Sequence, residues 1–310
     1  MKAAANSSDS LSDLIPLCRE IGNLKRIRAA ESSDSLAARM FERAWEKIND
    51  GEAVRSVAVA IVAEAVCAAN LGAIDAQVLR RAALSDDEIE TILIHAFNSV
   101  AAPIDENFCV ELRGRIRNLA HESESQKRHS PLRFVENLKN QPRSGATKAG
   151  APKRIFDQPE NHAEHCLAVA VIGALLAGRF AAMPETVFLI ALIHHFHNAY
   201  LPDSGFAGEE ALSEFLPRVF DSFRRECLRE VPENLHETIW TQFEAIETAD
   251  TPEAKAFHAA DVFDRVLQML HHAETNEFTL RYAMEEAELV HAGAVRDFHY
   301  DALRRAKLIV

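Results

Sequence analysis

Aromatic residues are scarce in this chain, 7% of 310 residues, and glycine and proline number only 11 each. β-Sandwiches and barrels need aromatic residues on their strands and glycine or proline at their many turns, so that class is excluded. Positive charge is also short: 34 Lys and Arg against 47 Asp and Glu give a net charge of −13. Proteins that hold a polyanion concentrate cations, so a nucleic-acid polymer is not expected as partner, whereas a small phosphorylated molecule is compatible. The 5 cysteines (Cys18, Cys67, Cys109, Cys166, Cys227) are odd in number, far apart and lack any CxxC pair, as expected for reduced core thiols of a cytoplasmic protein. The longest apolar run, Leu167 to Gly178, falls short of the roughly 20 residues of a bilayer span, and the start MKAAANSSDSLSD is polar. Neither a membrane nor secretion is therefore expected. Walker-type, GxGxxG, HExxH and GxSxG patterns are missing too, GATKAG having the wrong spacing, which leaves ATP hydrolysis, dinucleotide chemistry and serine hydrolysis without a foothold.

What is present is 48% hydrophobic sequence rich in Ala, Leu and Glu, enough for a substantial core. Apolar residues recur three and four apart in SLAARMFERAWEKI and VAVAIVAEAVCAANL, and no alternating strand pattern appears. The fold class read from this is all-α. Residues 1–120 form a helical domain without an assigned role. Residues 121–154, with eight Lys and Arg against three Glu, form a basic linker that carries the opening helix of a second helical unit, 131–310. Within that unit, helices are expected from Ala163 to Phe180 and from Pro184 to Ala199, the proline fitting a first helical turn. A faint echo lays residues 56–88 over 166–198, which makes the first half a candidate degenerate repeat of the second.

Histidine placement carries the chemistry. His162 and His165 stand three apart at the start of an apolar helix, and His194, His195 and His197 cluster near the end of the next. Residues three apart share a helix face, so each group can aim imidazoles at one point. A third helix, AFHAADVFDRVLQMLHH, places His258, Asp261 and Asp264 on one face among apolar residues. A carboxylate there needs a partner, and a metal ion between imidazoles from two helices supplies one. His121, His129, His236, His291 and His299 read as surface or satisfied core histidines, and His271 and His272 as a helix end favoured by its dipole.

The order of an EH pair, a histidine doublet after an apolar helix, and an AAD motif resembles the HD-domain metal-dependent phosphohydrolases, especially their 5'-deoxynucleotidase-like branch. The likeness runs from about Pro131 to Leu289 through FVENLKNQPRSG, ENHAEHCLAVAVIGALLA and HAADVFDRVLQML. It implies an HD-like helical bundle after the first helical domain. It also implies His165, His194 and Asp261 as metal ligands, with Arg143 on a substrate phosphate and Asp203 near the sugar or attacking water. Two positions depart from the family. His195 stands where the doublet has Asp, and Asn198 where an acid follows; an amide cannot act as general base. Three imidazoles and one carboxylate favour Zn, Fe, Co or Ni over Mg, with Mn also among the candidate ions.

The function this implies is hydrolysis of a small phosphomonoester such as a nucleotide by metal-activated water. Asp203, His162 and His197 are the candidate proton-transfer residues. Arg143, Lys139 and Asn198 are the candidate substrate contacts, and His165, His194, His195 and Asp261 the candidate metal ligands. Room is left for a homodimer. The competing readings are a catalytically lapsed sensor or scaffold and an iron-dependent HD-type oxygenase.

Overall fold

A computed structural model describes residues 10–122, 132–144, 159–276, 279–286 and 288–310. Most of the expected basic linker, residues 123–131 and 145–158, lies outside the described residues. The chain is all-α, as expected, with fourteen α-helices among the described residues. The first half contributes α1 (Ile15–Asn23), α2 (Leu36–Asn49), α3 (Val54–Leu71), α4 (Ala76–Arg81), α5 (Asp86–Val100) and α6 (Glu106–His121). After α7 (Arg133–Asn140) come α8 (His162–Leu176), α9 (Pro184–Ile193), α10 (Gly205–Leu212), α11 (Leu216–Leu228), α12 (His236–Glu247), α13 (Pro252–Asn276) and α14 (Arg296–Arg305). A small antiparallel ribbon, Arg28–Ala29 with Ser32–Ser35, joins α1 to α2. It is too short to show alternation in the sequence.

The centre of the fold is α8. Every residue from His162 to Leu176 is buried, so the helix is apolar all round rather than along one stripe. Its start is fixed by a capping box in which the Asn161 side chain accepts from the Glu164 N–H and Glu164 accepts from the Asn161 N–H. Helices α2, α9 and α13 pack around it. The approach to α9 is close at Gly173, where an added Cβ would stand 2.7 Å from Val187 Cγ1. Helix α3 and the segment His162–Phe180, which is α8 with the 3₁₀ turn after it, are long and apolar enough to cross a membrane, and 56% and 83% of their apolar windows are buried inside the fold.

One apolar core runs through both halves, joining Ile21, Phe41 and Trp45 to Phe134, Phe196 and Phe263. Helix α1 reaches α8 and α13, and α2 lies along α8, so the first hundred or so residues enclose the histidine-bearing helix. The stretch laid over α9 by the internal echo forms only α4, in which no residue is buried.

The expected helix from Pro184 to Ala199 is shorter than its apolar pattern suggests. It ends at Ile193, and after His194 and His195 a 3₁₀ turn spans Phe196–Ala199. His194 and His197 are therefore not on one helix face.

Candidate metal centre

The interruption of α9 places the doublet. His194 is the C-cap at φ −62°, ψ −20°, and His195 departs to φ −107°, ψ 21°, which lets two adjacent side chains approach one point. Their ring centroids lie 4.2 Å apart, and His165, from the first turn of α8, stands 5.1 Å from His194 and 5.2 Å from His195. One candidate ligand nitrogen from each of the three imidazoles lies within 4.8 Å of the others. Asp261, on α13, brings its Oδ1 to 3.2 Å from His165 Nε2.

Each imidazole is held by its other nitrogen. His165 Nδ1 is 2.7 Å from Asp264 Oδ2, and His194 Nδ1 is 2.6 Å from the carbonyl of Ala191. A carbonyl or an ionised carboxylate only accepts, so both Nδ1 atoms carry a proton, which leaves Nε2 as the nitrogen each ring can offer to a metal. His195 Nδ1 is 2.8 Å from Asn198 Oδ1, while Asn198 Nδ2 donates to the Leu201 carbonyl at 3.3 Å. The amide orientation is set by that second bond, so His195 also donates from Nδ1 and keeps Nε2 free. Nε2 of His165 and of His194 are buried without a hydrogen-bond partner. Buried lone pairs left in this way are costly, and a cation held by three Nε2 atoms and Asp261 would satisfy them. The donor set suits a borderline transition ion.

A second cluster, Glu160, His165 and Asp264, has similar spacing, but an ammonium already stands in it. Lys25 Nζ lies 2.5 Å from Glu160 Oε1 and 2.6 Å from Asp264 Oδ1.

Above the doublet opens a cavity of about 420 Å³ whose walls include Arg143, Asp203, Phe220, Arg224, Arg265 and His299. The Arg143 guanidinium is 3.5 Å from Glu160 Oε2; burial opposes its charge, but Glu160, Asp261 and Asp264 outweigh that and hold it firmly protonated. Asp203 accepts from the N–H of Ser144 and of Gly205, each at 2.9 Å, and stands 3.4 Å from His162 Nε2. Burial favours its neutral form, but His162 and the Ser144 N–H outweigh that, so Asp203 stays ionised well below neutral pH. His197 stacks on Phe220 at 3.8 Å between centroids.

Three sequence expectations need correction. Lys139 does not reach this site: its amine is held by Asp34, Glu42 and Glu136 at 2.8–2.9 Å. Asn198 is turned to His195 and is not on the cavity wall. His162 and His197 are not near-neutral proton donors, because burial pushes His162 down to about 4 and His197 well below its ordinary value. His162 packs its ring 4.5 Å from His195 instead. Other candidates escape sequence reading. The sequence puts Asp264 on the correct face without a role, while His291 and His299, unremarkable by pattern, line the cavity with His258. His258 and His299 meet through their nitrogens at 3.4 Å. Lys25, 239 residues before Asp264, leaves no signal in the sequence.

The same burial predicts an acid-labile apoprotein. His194 is pushed down to about 3 and His162 to about 4, while both titrate near 6.5 when unfolded. Between those values the unfolded chain binds more protons, so stability is intact above pH 6.5 and is lost as pH falls toward 4 and then 3. Each histidine contributes a slope of about 1.4 kcal/mol per pH unit. Urea unfolding of chelator-treated protein between pH 7 and 4 measures it; a flat profile contradicts the buried, neutral state of these rings.

The sequence model of the HD domain matches residues 135–298, just over half of the 310-residue chain. No curated protein and no solved structure matches the chain.

Proposed function

The chain belongs to the HD-domain family, and we propose that it is a metal-dependent phosphohydrolase acting on a small phosphomonoester such as a nucleotide, in the manner of the 5'-deoxynucleotidase-like branch. The observation that carries this reading is the set of three Nδ1-anchored imidazoles turned, with Asp261, toward one point beneath a cavity that bears Arg143. His165, His194, His195 and Asp261 would hold a Zn, Mn, Co, Ni or Fe ion. When bound, that ion supplies Lewis acidity to the phosphoryl group and lowers the pKa of water.

The remaining work falls to the chain's own groups. Arg143 offers a planar fork of donors to the phosphate oxygens, a geometry lysine does not reproduce. Asp203, ionised and fixed by two backbone N–H groups, lines the cavity and would accept a hydrogen bond from a sugar hydroxyl. The Phe220 ring, backed by His197 on one side and with the Arg224 guanidinium 5.7 Å from its centroid, supplies an apolar wall for an organic leaving group.

A panel of phosphomonoesters assayed with Mn, Co, Zn, Ni and Fe tests the proposal. Turnover is expected with at least one metal, and Arg143→Ala is expected to lower kcat/KM roughly 10- to 150-fold, the worth of a charged hydrogen bond of about 1.5–3 kcal/mol. Arg143→Lys is not expected to restore it. Tight metal binding without turnover on any ester would point instead to a sensing role, which Asn198, lacking the acid of the family, would explain.

A further inference from the structure

We propose that Lys25, contributed by the N-terminal half, is a positioning residue of the metal centre: its ammonium clamps Asp264 and Glu160, and those carboxylates in turn hold His165 and Arg143. The inference rests on the metal-centre reading above and extends it to a residue outside the matched HD region, which begins at 135. Lys25 Nζ contacts both oxygens of Asp264, at 2.6 and 2.7 Å, and Glu160 Oε1 at 2.5 Å. All three side chains are nearly closed to solvent, at 3%, 2% and 11% exposure. From this ammonium two arms diverge. One runs through Asp264 Oδ2 to His165 Nδ1 at 2.7 Å, and the other through Glu160 Oε2 to the Arg143 guanidinium at 3.5 Å.

The lysine is delivered by a pinned turn. Its backbone N–H donates to the Gly22 carbonyl at 3.4 Å, its carbonyl accepts from Arg28 Nη1 at 2.7 Å, and the Ala37 N–H donates to the Leu24 carbonyl at 3.2 Å. The neighbouring cations of the same turn reach the same helices: Arg26 bonds Gln268 on α13 at 2.5 Å, and Arg28 lies 3.4 Å from Glu164 on α8. Without the ammonium, two buried carboxylates would share a site with no cation in contact with both, since Arg143 contacts Glu160 alone of the pair, and separation is their natural response. Asp264 could then no longer present its oxygen to His165. Outer partners of metal-bound histidines typically govern metal affinity by 10- to 100-fold.

The test is a double-mutant cycle read by cobalt. Lys25→Met, which keeps the aliphatic stem, Asp264→Asn, and the two together are compared with the full-length wild type. Cobalt dissociation constants come from chelator competition, and the visible spectrum of the cobalt-loaded protein reports ligand geometry. Lys25→Met is expected to weaken cobalt binding about 10- to 100-fold and to alter the spectrum. The double variant is expected to be no weaker than the worse single one, because Lys25 acts through Asp264. If Lys25→Met alone does not fold, comparing Asp264→Asn with the double variant still decides: equal affinities support the clamp, and a further tenfold loss overturns it. A Lys25→Met protein with wild-type affinity and spectrum overturns the clamp while leaving the metal centre standing. A wild-type chain that binds no cobalt overturns both.

Discussion

Asp261→Ala and His194→Ala proteins are expected to lose the cation and, with it, the proposed phosphohydrolase activity. The loss in zinc or cobalt affinity should exceed about 100-fold, the upper range for removing a mere outer partner of a ligand. The two substitutions remove different kinds of donor from different helices, so agreement between them is informative. Asp261 is the carboxylate nearest the free Nε2 of His165, at 3.2 Å, and its other oxygen is 3.6 Å from Arg265. His194 is a buried neutral ring whose Nδ1 is already committed to the Ala191 carbonyl. Elemental analysis of purified protein, followed by competition with a chelating dye, measures the loss. Full metal content in both variants would mean that the imidazoles converge for packing alone.

Trp45→Ala is expected to cost about 3–5 kcal/mol of stability, the range for deleting a large buried aromatic side chain. Trp45 is 1% exposed and packs on Phe134 at 5.1 Å, Phe196 at 5.3 Å and Phe41 at 6.5 Å between centroids. Phe41 and Trp45 come from α2, Phe134 from α7, and Phe196 from the turn between His195 and His197, so the cluster ties the first half to the histidine turn. Urea unfolding measures the cost, with Val110→Ala, at a residue 62% exposed, as a control expected within about 0.5 kcal/mol of wild type. A loss below about 1 kcal/mol for Trp45→Ala, the usual effect of an unremarkable substitution, would show that the two halves do not share this core energetically.

Much of this architecture is legible in the sequence because helices leave periodic traces. Apolar spacing and the proline at 184 mark the start of α9, and the run from Ala163 to Phe180 marks α8 together with the 3₁₀ turn Ala177–Phe180 that follows it. Histidine spacing leads to the two clusters, and the carboxylates on an apolar face to Asp261 and Asp264 together, while the family resemblance singles out His165, His194 and Asp261. The remainder is set by tertiary geometry. The end of α9 at Ile193 is invisible because Phe196 and Ala199 continue the apolar pattern into a 3₁₀ turn. Lys139 reads as a free cation near Arg143 until its three acidic partners are seen around it. Lys25 has no local pattern at all, since its partners lie more than 130 residues away, on segments that only folding brings near. His291 and His299 escape notice for the same reason: a histidine far along the chain has no sequence mark of facing a cavity.

The place where α9 gives way to the doublet has a wider implication. Successive side chains on an unbroken helix diverge by about 100°, so neighbours in sequence cannot aim at one target unless the backbone changes course between them. Here that change falls between His194, still helical, and His195, whose Nδ1 meets Asn198 Oδ1 across the turn that follows. An exchange at 195 therefore also alters what residue 198 has to accept or donate, so the two positions are expected to tolerate substitution only as a matched pair.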